Sequence, residues 1–278
     1  MIPINHASTD RRQCDRRTES RRSGNVLPWP RRSGSVGLFI AQGILLDDGQ
    51  RSPTRLRDRA AVLLALLAIE GPRHRQAVAA LLWPDSAASL ARNNLRTLLH
   101  RLVRRHGLPL FTEGEVLALD SSVVQVHHEN ADELAERVVL LGPERCALLP
   151  DLSLDAMEQA DAWLAAARMR HREGQLRLLS AALAQAERLG NHKRRIAMAC
   201  AKVLLDPTSE ASFRELMQAH LANGDRGAAL AAYERCREVL LDALGVAPES
   251  RTQELQLQIL QASAVTSLAE AAPVQGDA

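Results

Sequence analysis

The chain has 278 residues, of which 46% are apolar and only 3% aromatic, with a formal net charge of +2. That length allows two ordinary domains, each burying its own core. Ala and Leu dominate the apolar share, which favours helices over sheets and predicts a mainly α protein.

No stretch approaches the roughly 18 apolar residues needed to cross a bilayer, and the run Ala60–Ile69 fits a buried helix instead. The N-terminus lacks the apolar segment of a secretory signal, so a cytoplasmic protein with no membrane partner is expected. Cys14, Cys146, Cys200 and Cys236 form no CxxC pair and lie near no spaced histidine pair, which argues against zinc and a disulfide framework. The near-neutral total conceals opposed blocks: about +5 over residues 1–32, +7 over 54–107, −6 over 108–150 and −3 over 151–278. The basic part suits a polyanion.

Residues 1–35 read as a disordered leader without apolar periodicity. Its Arg pairs at 11–12, 16–17, 21–22 and 31–32 suit either a phosphate-binding arm or a solvated solubility tail. Two short strands follow, Val36–Ala41 and Ile44–Leu46, with a turn at Asp47-Asp48-Gly49. Leu56–Ile69 reads as a helix stopped by Gly71-Pro72, and Arg75–Leu82 as a second, broken by Trp83-Pro84-Asp85. Trp83 reads as a core plug under that turn rather than a base stacker.

A third helix is predicted over Ser89–His106, capped by Ser86 or Ser89. Leu95, Leu98, Leu99 and Leu102 form its apolar stripe. Its other faces carry Arg and Asn, and no Asp or Glu occurs between Ser86 and Leu110. An ordinary surface helix mixes both signs. Leu110–Thr112 and Val116–Leu119 around Glu113-Gly114-Glu115 predict a β-hairpin. Helix, helix, break, basic helix and hairpin is the order of a winged helix-turn-helix, expected over 36–125.

The third helix can present its polar face to the major groove, which admits one α-helix. Arg92, Asn93, Arg96, Thr97 and His100 are the candidates for base contact, since Arg matches guanine, Asn matches adenine and Thr meets the thymine methyl. Arg73, Arg75, Arg101, Arg104 and Arg105 are assigned to phosphates, where they add affinity without sequence information. The acidic hairpin tip argues against a firm wing grip on the backbone. His127-His128 with Glu129 lacks metal-pair spacing and reads as a surface loop.

From Ala131 the chain turns acidic and helical. Ala182–Leu189 and Leu216–Ala222 are alike at a spacing of 34 residues, each followed by a turn and another helix, Lys193–Leu205 and Gly227–Leu241. That period is the tetratricopeptide signature. Asp155–Arg172 and Pro248–Leu260 complete an all-α, TPR-like domain over 131–262. Ala197, Ala199, Ala228 and Ala231 are the expected close-approach positions, with Tyr233 and Trp163 packed between repeat helices. Residues 263–278 read as a frayed, disordered tail.

The run Leu81-Leu82-Trp83-Pro84-Asp85, with Ala91-Arg92-Asn93-Asn94-Leu95-Arg96 and Leu98-Leu99-His100-Arg101-Leu102, resembles the SARP-type bacterial transcription regulators. Gly224-Asp225, Ala229-Leu230, Tyr233, Leu244-Gly245-Val246-Ala247-Pro248 and Thr252 extend that resemblance over roughly 36–262. These proteins join an OmpR-like winged helix to a bacterial transcriptional activator domain. The resemblance implies double-stranded DNA as partner at promoter repeats, help in recruiting RNA polymerase, and a homodimer on DNA as an option. It implies no cofactor. No enzyme motif such as a Walker loop, GxSxG or HExxH is present. The rival reading is an interaction adaptor, whose helical repeats do the binding while the winged helix docks protein.

Overall fold

The computed structural model describes residues 35–40, 43–48, 52–150, 152 and 158–270. Of the expected leader, 1–35, all but Ser35 lies outside that range, as do residues 271–278, while 263–270 of the expected disordered tail belong to a helix. In chain order the first elements are β1 (Val36–Phe39), β2 (Leu45–Asp47), β3 (Thr54–Arg55), α1 (Asp58–Glu70), β4 (Arg73–His74), α2 (Arg75–Leu82) and α3 (Ala88–His106). Then come β5 (Val116–Leu117), β6 (Val124–His127) and α4 (Ala131–Leu141). A 3-10 turn at Glu144–Cys146 leads to α5 (Glu158–Arg188), α6 (His192–Leu205), α7 (Glu210–Ala222), α8 (Arg226–Leu244) and α9 (Ser250–Glu270).

The apolar runs near the start build a sheet in the order β3-β2-β1-β6. The two short strands expected here form as β1 and β2 and pair antiparallel, while β6 joins β1 in parallel with Val36 opposite Val124. His127 therefore ends a strand and stacks on Phe39, the ring centroids 4.4 Å apart, so it is not the surface loop expected. The adjacent Glu129 is taken by the buried Arg137, whose Nε and Nη2 each donate to it at 2.6 Å.

α1 is buried along the unbroken run Ala61–Leu67, as suits a helix with neighbours on all sides. Gly71 follows it at φ 75°, a conformation that glycine adopts without a Cβ penalty. Trp83 packs against this core with Arg59 over its ring, which makes it the plug the sequence suggested.

The predicted hairpin closes, Thr112 N–H donating to the Ala118 carbonyl and Asp120 N–H to that of Leu110, and it gains a partner from earlier in the chain. Phe111 and Leu119 meet in a single bridge, while β5 pairs antiparallel with β4, placing Leu117 opposite Arg73. The reach of Arg75 explains the fit. Its Nε donates to the carbonyl of Gly114 at 2.5 Å and its Nη2 to that of Thr112 at 3.1 Å.

Two apolar cores form, and the chain crosses between them. The first gathers β1, α1, α2 and α3 with Leu148, Leu149, Ala160 and Leu164; the second gathers α4 with the later helices. α5 serves both. Its first half packs Ala160, Leu164 and Ala167 into the first core, and its second half packs Leu179, Ala182 and Leu183 into the other. At 1.5 Å per residue this 31-residue helix is roughly 46 Å long. The sequence had suggested two separate helices here.

Beyond it α5 packs on α6, α6 on α7 and α7 on α8, the stacking of a helical repeat. The close-approach alanines are Ala199, Ala229 and Ala232. Of the other expected positions, Ala197 and Ala231 are turned outward by the helix phase and Ala228 is half-buried. Tyr233 is buried among the repeats, whereas Trp163 packs on the first core. α9 continues to Glu270, past Leu260, since no Gly or Pro interrupts that stretch.

The Leu244-Gly245-Val246-Ala247-Pro248 run is the turn between α8 and α9. Gly245 ends α8 in the left-handed region, at φ 70°. The buried hydroxyl of Thr252 donates to Glu210 at 2.7 Å and accepts from Arg214 at 2.8 Å. Arg214 also pairs with Glu249. This motif locks the last helix onto α7.

Candidate nucleic-acid interface

α3 buries Ala91, Leu95, Leu99 and Leu102 against the first core, with Leu98 half-buried beside them. At 3.6 residues per turn, Asn93, Arg96, Thr97, His100 and Arg104 centre on the opposite side, with Arg92 and Arg105 at its margins. All of them are exposed, as is Arg101. The structure thus brings eight of the ten predicted contact residues onto one helix surface.

The chemistry of that surface is open. No carboxylate of the described residues pairs with Arg92, Arg96, Arg101, Arg104 or Arg105. Thr97 is the exception to this freedom: its hydroxyl donates to the carbonyl of Asn93 at 2.9 Å. The hydroxyl is thereby committed to the helix, which leaves the methyl as its outward chemistry. The N-terminus of α3 has Ala87 at its cap and no side-chain cap, so neither Ser86 nor Ser89 performs the expected role. At the other end Arg104, Arg105 and His106 oppose the negative end of the helix dipole, and Gly107 closes the helix at φ 67°.

Arg73 and Arg75 stand apart from this surface. Arg73 donates to Glu70 at 2.6 Å, and Arg75 holds the wing carbonyls. The tip residues Glu113 and Glu115 are exposed beside them, so the wing gathers acids as well as bases.

A second group escaped the sequence reading. Glu70, at the end of α1, accepts from Trp163 Nε1 and from Arg170, each at 2.8 Å, in addition to Arg73. It joins α5 to the winged helix through residues 93 and 100 positions away. No local pattern signals a contact at such separation.

Residues 146–260 match the bacterial transcriptional activator domain family. The whole winged-helix and repeat architecture is similar to the solved structure of EmbR from Mycobacterium tuberculosis in complex with a low-affinity phosphopeptide. That likeness has a TM-score of 0.54 at 18% identity and covers 87% of this chain and 73% of the other. No curated protein matches. The activator domain begins at the buried Cys146, just before the leucines that enter the winged-helix core, and ends on α9. Among the described residues no helix is long and apolar enough to cross a membrane.

Proposed function

We propose that this chain is a SARP-type regulator that binds double-stranded DNA in a sequence-specific manner and activates transcription by helping RNA polymerase engage at promoter-proximal repeats. One observation carries the reading: the outward face of α3 is exposed, free of acids and free of intramolecular ion pairs. Five unpaired guanidinium groups on one helix repel each other unless an anion accepts them, and the phosphate backbone is the polyanion that accommodates a helix in its groove. Arg92, Asn93, Arg96, Thr97 and His100 read bases near the start of the helix, while Arg101, Arg104 and Arg105 meet phosphates. Arg73 and Arg75 hold the wing in place. The winged helix, 36–125, supplies DNA binding in the cytoplasm, and the repeats, 131–262, engage the polymerase.

The test is selection of genomic fragments with the full-length protein at moderate salt, followed by a salt titration on each enriched fragment. One promoter-like repeat should be enriched, with binding that falls steeply as salt rises because each phosphate contact releases counterions. Binding that ignores salt, or no enrichment, would overturn the proposal and favour an adaptor working through the repeats.

A further inference from the structure

The outward face of α3 carries an apolar residue ahead of its polar ones. Leu90 lies in the first turn of the helix and is 53% exposed. At 3.6 residues per turn it falls roughly 60° from Asn93, away from the buried stripe of Ala91, Leu95, Leu99 and Leu102. A single exposed leucine is ordinary on a protein surface. The place of this one is not, because the start of a recognition helix is the part that meets base edges. The residues around it, Ala87, Ala88 and Ser89, are small, exposed and uncharged. Leu90 therefore reaches farthest from that turn, and its side chain can bond neither a phosphate nor a polar base edge.

Thr97 stands on the same line, two turns on. It falls roughly 40° from Asn93 on the side of Leu90, and about 10 Å farther along the axis than Leu90. Its hydroxyl is committed to the Asn93 carbonyl at 2.9 Å, so a methyl faces outward there too. This edge of the face offers methyl groups at two heights. On the other side of Asn93, Arg96 offers charge.

We propose that Leu90 is a specificity-determining residue that packs against the C5-methyl of a thymine, forming with Thr97 an apolar edge that selects two thymines. The thymine methyl is the apolar group that base edges present in the major groove, so a leucine there favours thymine over cytosine, which lacks it. That contact also takes exposed leucine surface out of water. For a helix lying along the groove, roughly 10 Å corresponds to about three base-pair steps of about 3.4 Å, which sets the spacing of the two thymines. The inference rests on the reading of α3 as the helix that enters DNA, and adds the bases that its apolar edge requires.

The test is selection from random duplexes by the full-length protein, comparing wild type with Leu90→Ala and Thr97→Ser. Thr97→Ser keeps a hydroxyl for the Asn93 carbonyl and removes only the methyl. Each thymine of the selected site is then replaced in turn by deoxyuridine, which lacks the methyl and keeps every hydrogen-bonding group. Anisotropy titration of the wild type should show losses of about three- to fivefold at two positions, as expected for one buried methyl each. Leu90→Ala should lose the penalty at one of them, relax its base preference there, and keep the penalty at the other. Its Tm should equal that of the wild type, because the side chain is exposed. Thr97→Ser should show the reverse pattern. Penalties that survive Leu90→Ala at every thymine, or no penalty in the wild type, would overturn the proposal and leave the DNA reading standing. A wild type that selects no sequence would overturn both.

Discussion

Trp163 Nε1 donates to Glu70 Oε1 across 2.8 Å, joining the first half of α5 to the end of α1. The same carboxylate takes Arg170 on that oxygen and Arg73 on the other, so one side chain binds α1, β4 and α5 together. Burial raises the Glu70 pKa, but the hydrogen bonds of Trp163 and Arg73 and the charges of Arg73 and Arg170 outweigh it and hold it below the usual carboxylate range. Because α5 continues into the repeats as one helix, this carboxylate helps to set how the activator domain carries the winged helix.

Glu70→Gln should therefore cost about 1–2 kcal/mol of stability near neutral pH, as hydrogen bonds to a charged acceptor are exchanged for weaker ones. The folded-state pKa is depressed, so the contribution of Glu70 is present above its unfolded value and is lost as pH falls through the folded one. Urea unfolding of both proteins at pH 7 and at pH values under 4.5 checks this. The stability gap should close on acidification, and an equal gap at both pH values would rule out the charged junction.

Arg75→Ala should free the wing without touching DNA affinity at a distance. The guanidinium holds two carbonyls, and its loss should lower stability by about 1 kcal/mol. The amides of Thr112 and Ala118, bonded across the wing, should exchange faster. The salt slope of DNA binding should stay at its wild-type value. A slope shallower by about one unit would instead make Arg75 a phosphate contact.

How much of this was legible follows from the range of each interaction. The Leu95–Leu102 stripe and the acid-free remainder of α3 lie within a few turns, so periodicity placed the exposed face. β1, β2 and the helices around Trp83 are equally local. The hairpin of the wing is local too, but its pairing with Arg73-His74 is not: that polar dipeptide lies about forty residues earlier and carries no strand signal. α5 was divided because the residues between Arg172 and Ala182 were left unassigned, yet Leu176, Leu179 and Leu183 carry the helix through by packing. Glu70 and Trp163 are each ordinary in sequence, and only the fold brings them together.

Thr252→Val should cost more than its size suggests. The hydroxyl is fully buried and ties Glu210 to Arg214, so its removal leaves two charged groups short of a partner at the joint of α7 and α9. About 2 kcal/mol is expected, with Thr252→Ser recovering most of it because the hydroxyl returns. Chemical denaturation of the three proteins decides the matter. A serine variant as weak as the valine one would assign the loss to packing of the methyl instead.

The proposed DNA face of α3 makes the most discriminating prediction, because two parts of one helix should fail differently. Asn93 and Arg96 lie near its start and centre on the outward side, where bidentate base contacts are worth about 1–3 kcal/mol each. Asn93→Ala or Arg96→Ala should weaken cognate binding by that amount and leave random-sequence binding almost unchanged. Arg104→Ala with Arg105→Ala should weaken both kinds of site alike and reduce the salt slope by roughly two units, since two phosphate contacts are lost. Fluorescence anisotropy on cognate and scrambled duplexes at several salt concentrations separates the patterns. Equal losses on both duplexes from Arg96→Ala would move that residue to the phosphates, and no loss from any of the four would show that α3 is not the helix that enters DNA.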